Sequence, residues 1–159
     1  MTTAAVGSSR LNAAGRWLWA AGVLALDQAS KWLVRQSFEP GASLPVLSPL
    51  FHLTYVQNTG AAFGMLRGHA PLFVALSLAV AGWIVWELRR PRGHTRLTVA
   101  CLSLIFGGAL GNVIDRVRLG YVVDFLDFRV WPVFNVADSA ITIGVTLLLW
   151  QSFFGKWRG

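Results

Sequence analysis

Among the seven acidic residues of this 159-residue chain, Asp124 and Asp138 are the two whose type and placement could do chemistry. Asp124 ends the apolar run Tyr121-Val122-Val123, and Asp138 opens another after Phe134-Asn135-Val136-Ala137. They lie on either side of one loop. Two carboxylates brought within about 3 Å cannot both ionise, so one keeps a proton near neutral pH. The ionised member can then take a proton from water while the neutral one polarises a peptide carbonyl. Low local polarity strengthens both effects, and such a pair titrates as a unit. An Asp at a helix start is also a common N-cap, however. On spacing alone both readings stand.

Other polar residues fall inside apolar runs, where a charge costs several kcal/mol unless it is paired or hydrated, roughly as in other membrane spans. Asp27 and Lys31 are one helical turn apart with the acid nearer the N-terminus, the order that ion pairing prefers. We read them as a structural polar pair that fixes one helix against its neighbours. Asn112 and Arg116 are likewise one turn apart. Arg116 either snorkels to the interface, holds an acid such as Asp115, or orients a substrate carbonyl. Nucleophile schemes find less support. His52, His69 and His94 all fall outside the apolar runs, and Ser77, Ser103 and Ser139 have no evident base. No His or Cys spacing suggests a metal site, and the lone Cys101 reads as a packing residue.

The elements that would position these groups follow from composition. The chain is 55% hydrophobic and 13% charged, about half the charge of an average soluble domain, which is roughly a quarter charged. Its mean hydropathy is +0.54. The apolar residues gather into four segments near the roughly 20 residues a membrane span needs: 17–34, 71–88, 97–114 and 136–154. Gly82, Gly107, Gly108, Gly111 and Gly144 lie inside them, where small residues let helices approach. Trp17, Trp19, Trp83, Trp86, Trp150 and Trp157 cluster toward their ends, as interfacial aromatics do. The expected fold is a mainly α membrane protein. It is a four-transmembrane-helix bundle with a small periplasmic β-element and a membrane-hugging periplasmic loop. Residues 1–15 read as a flexible cytoplasmic tail and 16–155 as a single four-span domain.

A net charge of +7 and a pI near 11.1 raise the question of nucleic-acid binding. The positions exclude it. Arg10 and Arg16 precede the first run, Arg89, Arg90, Arg92 and Arg96 fill the loop after the second, and Lys156 and Arg158 follow the fourth. By the positive-inside rule these regions and both termini are cytoplasmic. The first run continues through Lys31-Trp32-Leu33-Val34 with no small-residue cleavage site, so it reads as a retained span rather than a signal peptide. Loops 36–70 and 115–135 then face outward. In the first, Phe51, Leu53 and Tyr55 alternate with His52 and Thr54, a half-buried strand pattern, and Asn58-Thr59-Gly60 supplies a turn. Phe63, Met65 and Leu66 are expected to dip into lipid or the bundle. The second, with Phe125, Phe128, Val130, Trp131, Val133 and Phe134, is expected to lie along the membrane surface.

Five ordered stretches resemble the motifs of one known family, lipoprotein signal peptidase (signal peptidase II). They are Asp27-Gln28-Ala29-Ser30-Lys31; Asn58-Thr59-Gly60-Ala61-Ala62-Phe63; Gly108 through Arg116; Val123-Asp124-Phe125; and Phe134 through Ile141. The resemblance implies an aspartic endopeptidase of the bacterial inner membrane with its active site near the periplasmic face. Such an enzyme removes the signal peptide from diacylglyceryl-modified prolipoproteins, cleaving before the lipidated cysteine. It implies that Asp124 and Asp138 are catalytic, and that Asn58, Gly60, Asn112, Arg116 and Asn135 bind substrate or support the dyad. It also implies a structural role for Asp27 and Lys31, contact with membrane lipid, inhibition by cyclic peptide antibiotics, and no metal or organic cofactor. Two rival classes are a small transporter, which would need internal repeats or broken spans, and a structural assembly protein. The sequence shows neither repeats nor broken spans, and an assembly protein does not account for two aspartates flanking one loop.

Overall fold

The computed structural model describes residues 13–60, 70–90 and 94–154. Four helices and three strands follow one another in the order α1 (Ala13–Ser37), β1 (Ser43–Leu47), β2 (Phe51–Asn58), α2 (Ala70–Arg89), α3 (Arg96–Leu119), β3 (Val122–Asp127) and α4 (Val136–Phe154). Helix α3 is the hub and packs against α1, α2 and α4. The expected lipid-dipping residues Phe63, Met65 and Leu66 lie outside the described residues, as do His69, Arg92, Lys156, Trp157 and Arg158.

Helices α2, α3 and α4 are long and apolar enough to cross a membrane. Helix α1 spans 25 residues, but Asp27, Gln28, Ser30 and Lys31 dilute its hydropathy below that of the other three. Its polarity is turned inward. Asp27 and Lys31 are buried while Leu18, Trp19, Leu26, Trp32 and Leu33 are exposed. Exposed Leu72, Leu76, Trp83, Ile143, Leu149 and Phe153 on α2 and α4 continue the same apolar exterior. An outside of this kind is stable only in a lipid-like surrounding.

Close approach to α3 depends on missing side chains. A Cβ on Gly107 would sit 2.6 Å from the Ala20 carbonyl oxygen and 3.1 Å from Val23 Cβ on α1. One on Gly111 would collide with the Asp27 carboxylate. Gly82 differs from the expectation: it meets nothing within 4 Å, because its face of α2 has no helix against it. At one end of the bundle Ile84, Leu88, Val99, Leu102 and Ile105 form an apolar cluster, with Phe106 and Leu148 packed on it.

The three strands form one antiparallel sheet, ordered β1-β2-β3. Its core of Val34, Tyr55, Val123 and Phe125 seats it on the end of α1. Two boundaries differ from the sequence reading of 115–135 as a loop. Helix α3 continues to Leu119 and is closed by Gly120, left-handed at φ 81°, whose N–H reaches the Arg116 carbonyl at 3.1 Å. Only then does the chain enter β3, pairing Val56 with Asp124 and Asn58 with Val122. Asp115 and Arg116 are therefore helical, and Asp124 is held in a sheet.

The packing gives a matched prediction. Gly107→Ala should lower the thermal midpoint of the detergent-solubilised protein, at a cost of about 1–3 kcal/mol for overpacking. Gly82→Ala should be neutral or gain up to about 1 kcal/mol from helix propensity. Equal midpoints would show that α1 and α3 are not in the contact described.

Candidate active site

The site is built where β2, β3, α3 and α4 meet. Helix α4 starts at Val136, and the residue before it, Asn135, does the capping: its Oδ1 accepts the Asp138 backbone N–H at 2.8 Å. Asp138 itself is one turn in, so its carboxylate is not spent on the cap. Asp138 is therefore not the N-cap of α4. Asp124 arrives from the other side on β3, in the segment Val122–Phe125 that is buried throughout.

The two carboxylates are joined by a pair of asparagines. Asn135 Nδ2 donates to Asp124 Oδ1 at 2.7 Å and to Asn112 Oδ1 at 3.2 Å. Asn112 Nδ2 in turn donates to Asp138 Oδ1 at 2.8 Å. Asn58 Nδ2 holds the other oxygen of Asp124 at 2.9 Å, while its own Oδ1 accepts the Gly60 N–H at 3.0 Å. Both aspartates line one cavity of about 680 Å³, together with Asn58, Gly60, Asn112 and Arg116. Trp131 to Phe134 form another part of its wall.

Burial pushes the Asp124 carboxyl up to about 7, and the negative charge of Asp138 adds to the rise. The Asn58 and Asn135 hydrogen bonds and the charge of Lys31 oppose it. A carboxyl poised there can hold or release a proton near neutral pH, as acid–base chemistry on water requires.

Behind the asparagines sits a fully buried ionic cluster. Lys31 Nζ lies 2.9 Å from Asp27 Oδ2, 3.0 Å from Asp115 Oδ2 and 2.9 Å from Asn112 Oδ1. Gln28 Nε2 ties Asp27, Asp115 and the Gly111 carbonyl together. The polar pair Asp27–Lys31 expected from spacing is thus one part of a larger cluster, reaching α4 through the Ala137 N–H to Asp27 Oδ1 at 2.9 Å. Among the described residues Arg116 makes no ion pair with Asp115. Its guanidinium approaches the Gly60 carbonyl at 3.4 Å and lies over the Phe73 ring, at the cavity wall.

Every residue singled out in the sequence for catalysis or support therefore reaches this cavity or the cluster behind it. Sequence reasoning passed over Gln28, Phe73 and Thr142, and gave Asp115 no role of its own. Gln28 and Asp115 stood inside the quoted motifs. Phe73 and Thr142 are ordinary residues of apolar helices and carried no signal. Among the described residues no three His, Cys, Asp or Glu side chains converge as metal ligands would.

A sequence profile of the signal peptidase (SPase) II family matches residues 19–154. The lipoprotein signal peptidase of Moorella thermoacetica is 54% identical over 129 residues, covering 81% of this chain and 86% of the relative. That of Halothermothrix orenii is 50% identical over 132 residues, covering 81% and 90%. Among solved structures, a bacterial membrane enzyme determined by the in meso method at 2.3 Å resolution superposes with a TM-score of 0.84 at 32% identity. The match covers 92% of this chain and 94% of that one.

The Asp124 environment predicts a pH dependence of stability. Its pKa is raised on folding, so its contribution is full below the unfolded value near 3.8 and is lost as pH rises through about 7. The thermal midpoint should fall between about pH 5 and about pH 8 by an amount that Asp124→Asn removes. An identical slope in the variant would show that Asp124 ionises as an ordinary carboxylate.

Proposed function

This chain belongs to the signal peptidase II family, and we propose that it removes the signal peptide from bacterial prolipoproteins by aspartic chemistry at Asp124 and Asp138. One observation carries the catalytic assignment: the buried Asp124 and half-buried Asp138 carboxylates, from different elements, line one cavity and are bridged by Asn112 and Asn135. In the reaction one carboxylate takes a proton from water as its oxygen bonds to the scissile carbonyl carbon. The other gives its proton to the carbonyl oxygen. Collapse of the tetrahedral diol breaks the C–N bond, and the leaving nitrogen takes up a proton from the pair. No cofactor takes part.

Asn58 and Asn135 hold Asp124, and Asn112 holds Asp138. Gly60, its carbonyl steadied by Arg116, offers backbone to an extended substrate at the cavity edge. The substrate is a membrane-embedded signal helix whose cysteine bears diacylglycerol, and the bond broken is the one before that cysteine. Cyclic peptide antibiotics would occupy the same dyad. All four helices cross the bacterial inner membrane, α1 with its polar face turned inward. Both termini are cytoplasmic, following the Arg and Lys distribution, so the sheet and the cavity lie near the periplasmic face.

Cleavage of a diacylglyceryl-modified prolipoprotein by purified protein tests this reading. Wild type should cleave, and folded Asp124→Asn and Asp138→Asn should each lose at least about a thousandfold in kcat, as removal of an acid–base group does. Normal cleavage by both variants would move the chemistry elsewhere. A wild-type protein that never cleaves this substrate would sink the reading altogether.

A further inference from the structure

Four carboxylates, Asp27, Asp115, Asp124 and Asp138, are gathered around the centre of the bundle, and Lys31 is the one ammonium among them. An ammonium has three N–H donors. All three are used, and only two go to acids. The third goes to the Asn112 side-chain oxygen, and the other end of that amide is bonded to Asp138. Burial alone asks for a third acceptor; that the acceptor is Asn112, and not another carbonyl, is what links the ammonium to Asp138.

The link has a directional consequence. Asn112 Oδ1 accepts from both Lys31 Nζ and Asn135 Nδ2. Turning the amide over would set its NH2 against two donors and its carbonyl against the Asp138 carboxylate. Every contact would then be repulsive, so the amide has one orientation. A donor held against a carboxylate favours its ionised form, and the positive charge behind it acts in the same sense on both members of the pair.

We propose that Lys31 is a positioning residue for the reaction: through Asn112 its ammonium keeps one carboxylate of the pair ionised at neutral pH, and so sets the pH range in which the peptidase works. This rests on the dyad reading given above. The charged groups facing the pair are Asp27 and Lys31 from α1 and Asp115 and Arg116 from α3. Among the described residues β2 and α2 place no charged side chain on the cavity wall, only neutral ones such as Gln57, Asn58 and Phe73. Without Lys31 the remaining negative charge around the pair would hold a second proton on it, and no base would be left. The opposition of Lys31 to the upward push on Asp124 agrees with this direction.

The test is the pH profile of kcat/KM for prolipoprotein cleavage in wild type, Lys31→Met and Asp27→Asn. Both substitutions break the cluster and should lower the thermal midpoint. Their profiles should move in opposite directions. Lys31→Met removes a cation and should shift both limbs upward by about one unit, as loss of a nearby opposite charge does. At the acid limb that is roughly a tenfold loss, seen in kcat with KM within about threefold. Asp27→Asn removes an anion and should shift the limbs downward. Wild-type limb positions in both variants, with activity following only the folded fraction, would overturn the proposal and leave Lys31 a purely structural ion. If Lys31→Met does not accumulate, Lys31→Gln, which keeps two N–H donors without the charge, is read in the same way. Loss of activity in the Asp124 and Asp138 variants alongside unmoved limbs would defeat this inference alone; full activity in those variants would defeat the dyad reading first.

Discussion

A charge buried in an apolar bundle must find an acceptor for every donor, and Lys31 is where this bundle meets that demand. Its three partners tie α1 to α3, and the acids it holds reach one step further. Asp115 accepts the Val123 N–H at 3.0 Å, immediately before Asp124. Asp27 accepts the Ala137 N–H at 2.9 Å, immediately before Asp138. Each structural acid thus grips the backbone next to one of the two candidate catalytic acids. The strand and the helix that carry the pair are brought together by the same ion that balances it. Removing one member of such a cluster leaves a buried charge unmet, which is costly, so the cluster defines the register of α1, α3, β3 and α4 together.

The rest of the architecture follows from keeping that cluster dry. Gly107 and Gly111 remove side chains where α3 must come close to α1, and Gly111 leaves just the room that the Asp27 carboxylate fills. The exterior is apolar on α1, α2 and α4, so polarity in the helices is concentrated inward, toward α3. The sheet is seated on the end of α1 by Val34, Tyr55, Val123 and Phe125, and this holds β3 rigidly enough to aim Asp124 into the cavity. A preorganised pair of this kind requires support from packed elements rather than from loops.

Much of this was legible in the residues. The 71–88 and 136–154 segments read as spans from length and hydropathy alone and are helices α2 and α4 with nearly the same bounds. The alternation Phe51-Leu53-Tyr55 announced β2 because one of its faces is partly open. Strand β3 was hidden for the opposite reason. Val122 to Phe125 are buried on both faces, so the period of two is absent, and the partner strand is more than sixty residues away. The end of α3 was placed a few residues early, because Val117 to Leu119 carry no helical mark in sequence and the αL Gly120 that closes the helix shows only in the structure. Asp27 and Lys31 showed as an i, i+4 pair, but the acceptors on α3 and α4 that make the pair a hub come from distant sequence and leave no local periodicity.

On this reading the two bridged carboxylates share one proton at neutral pH. Difference infrared spectroscopy of the purified protein reads it directly, through the C=O stretch of a protonated carboxyl group. At pH 6, below the value of about 7 to which Asp124 is pushed, one protonated band should be present; it should be absent from Asp124→Asn, titrate at lower pH in Asp138→Asn, and disappear as pH is raised well above 7. No protonated band at pH 6, or two independent bands each surviving loss of the other residue, would contradict the account.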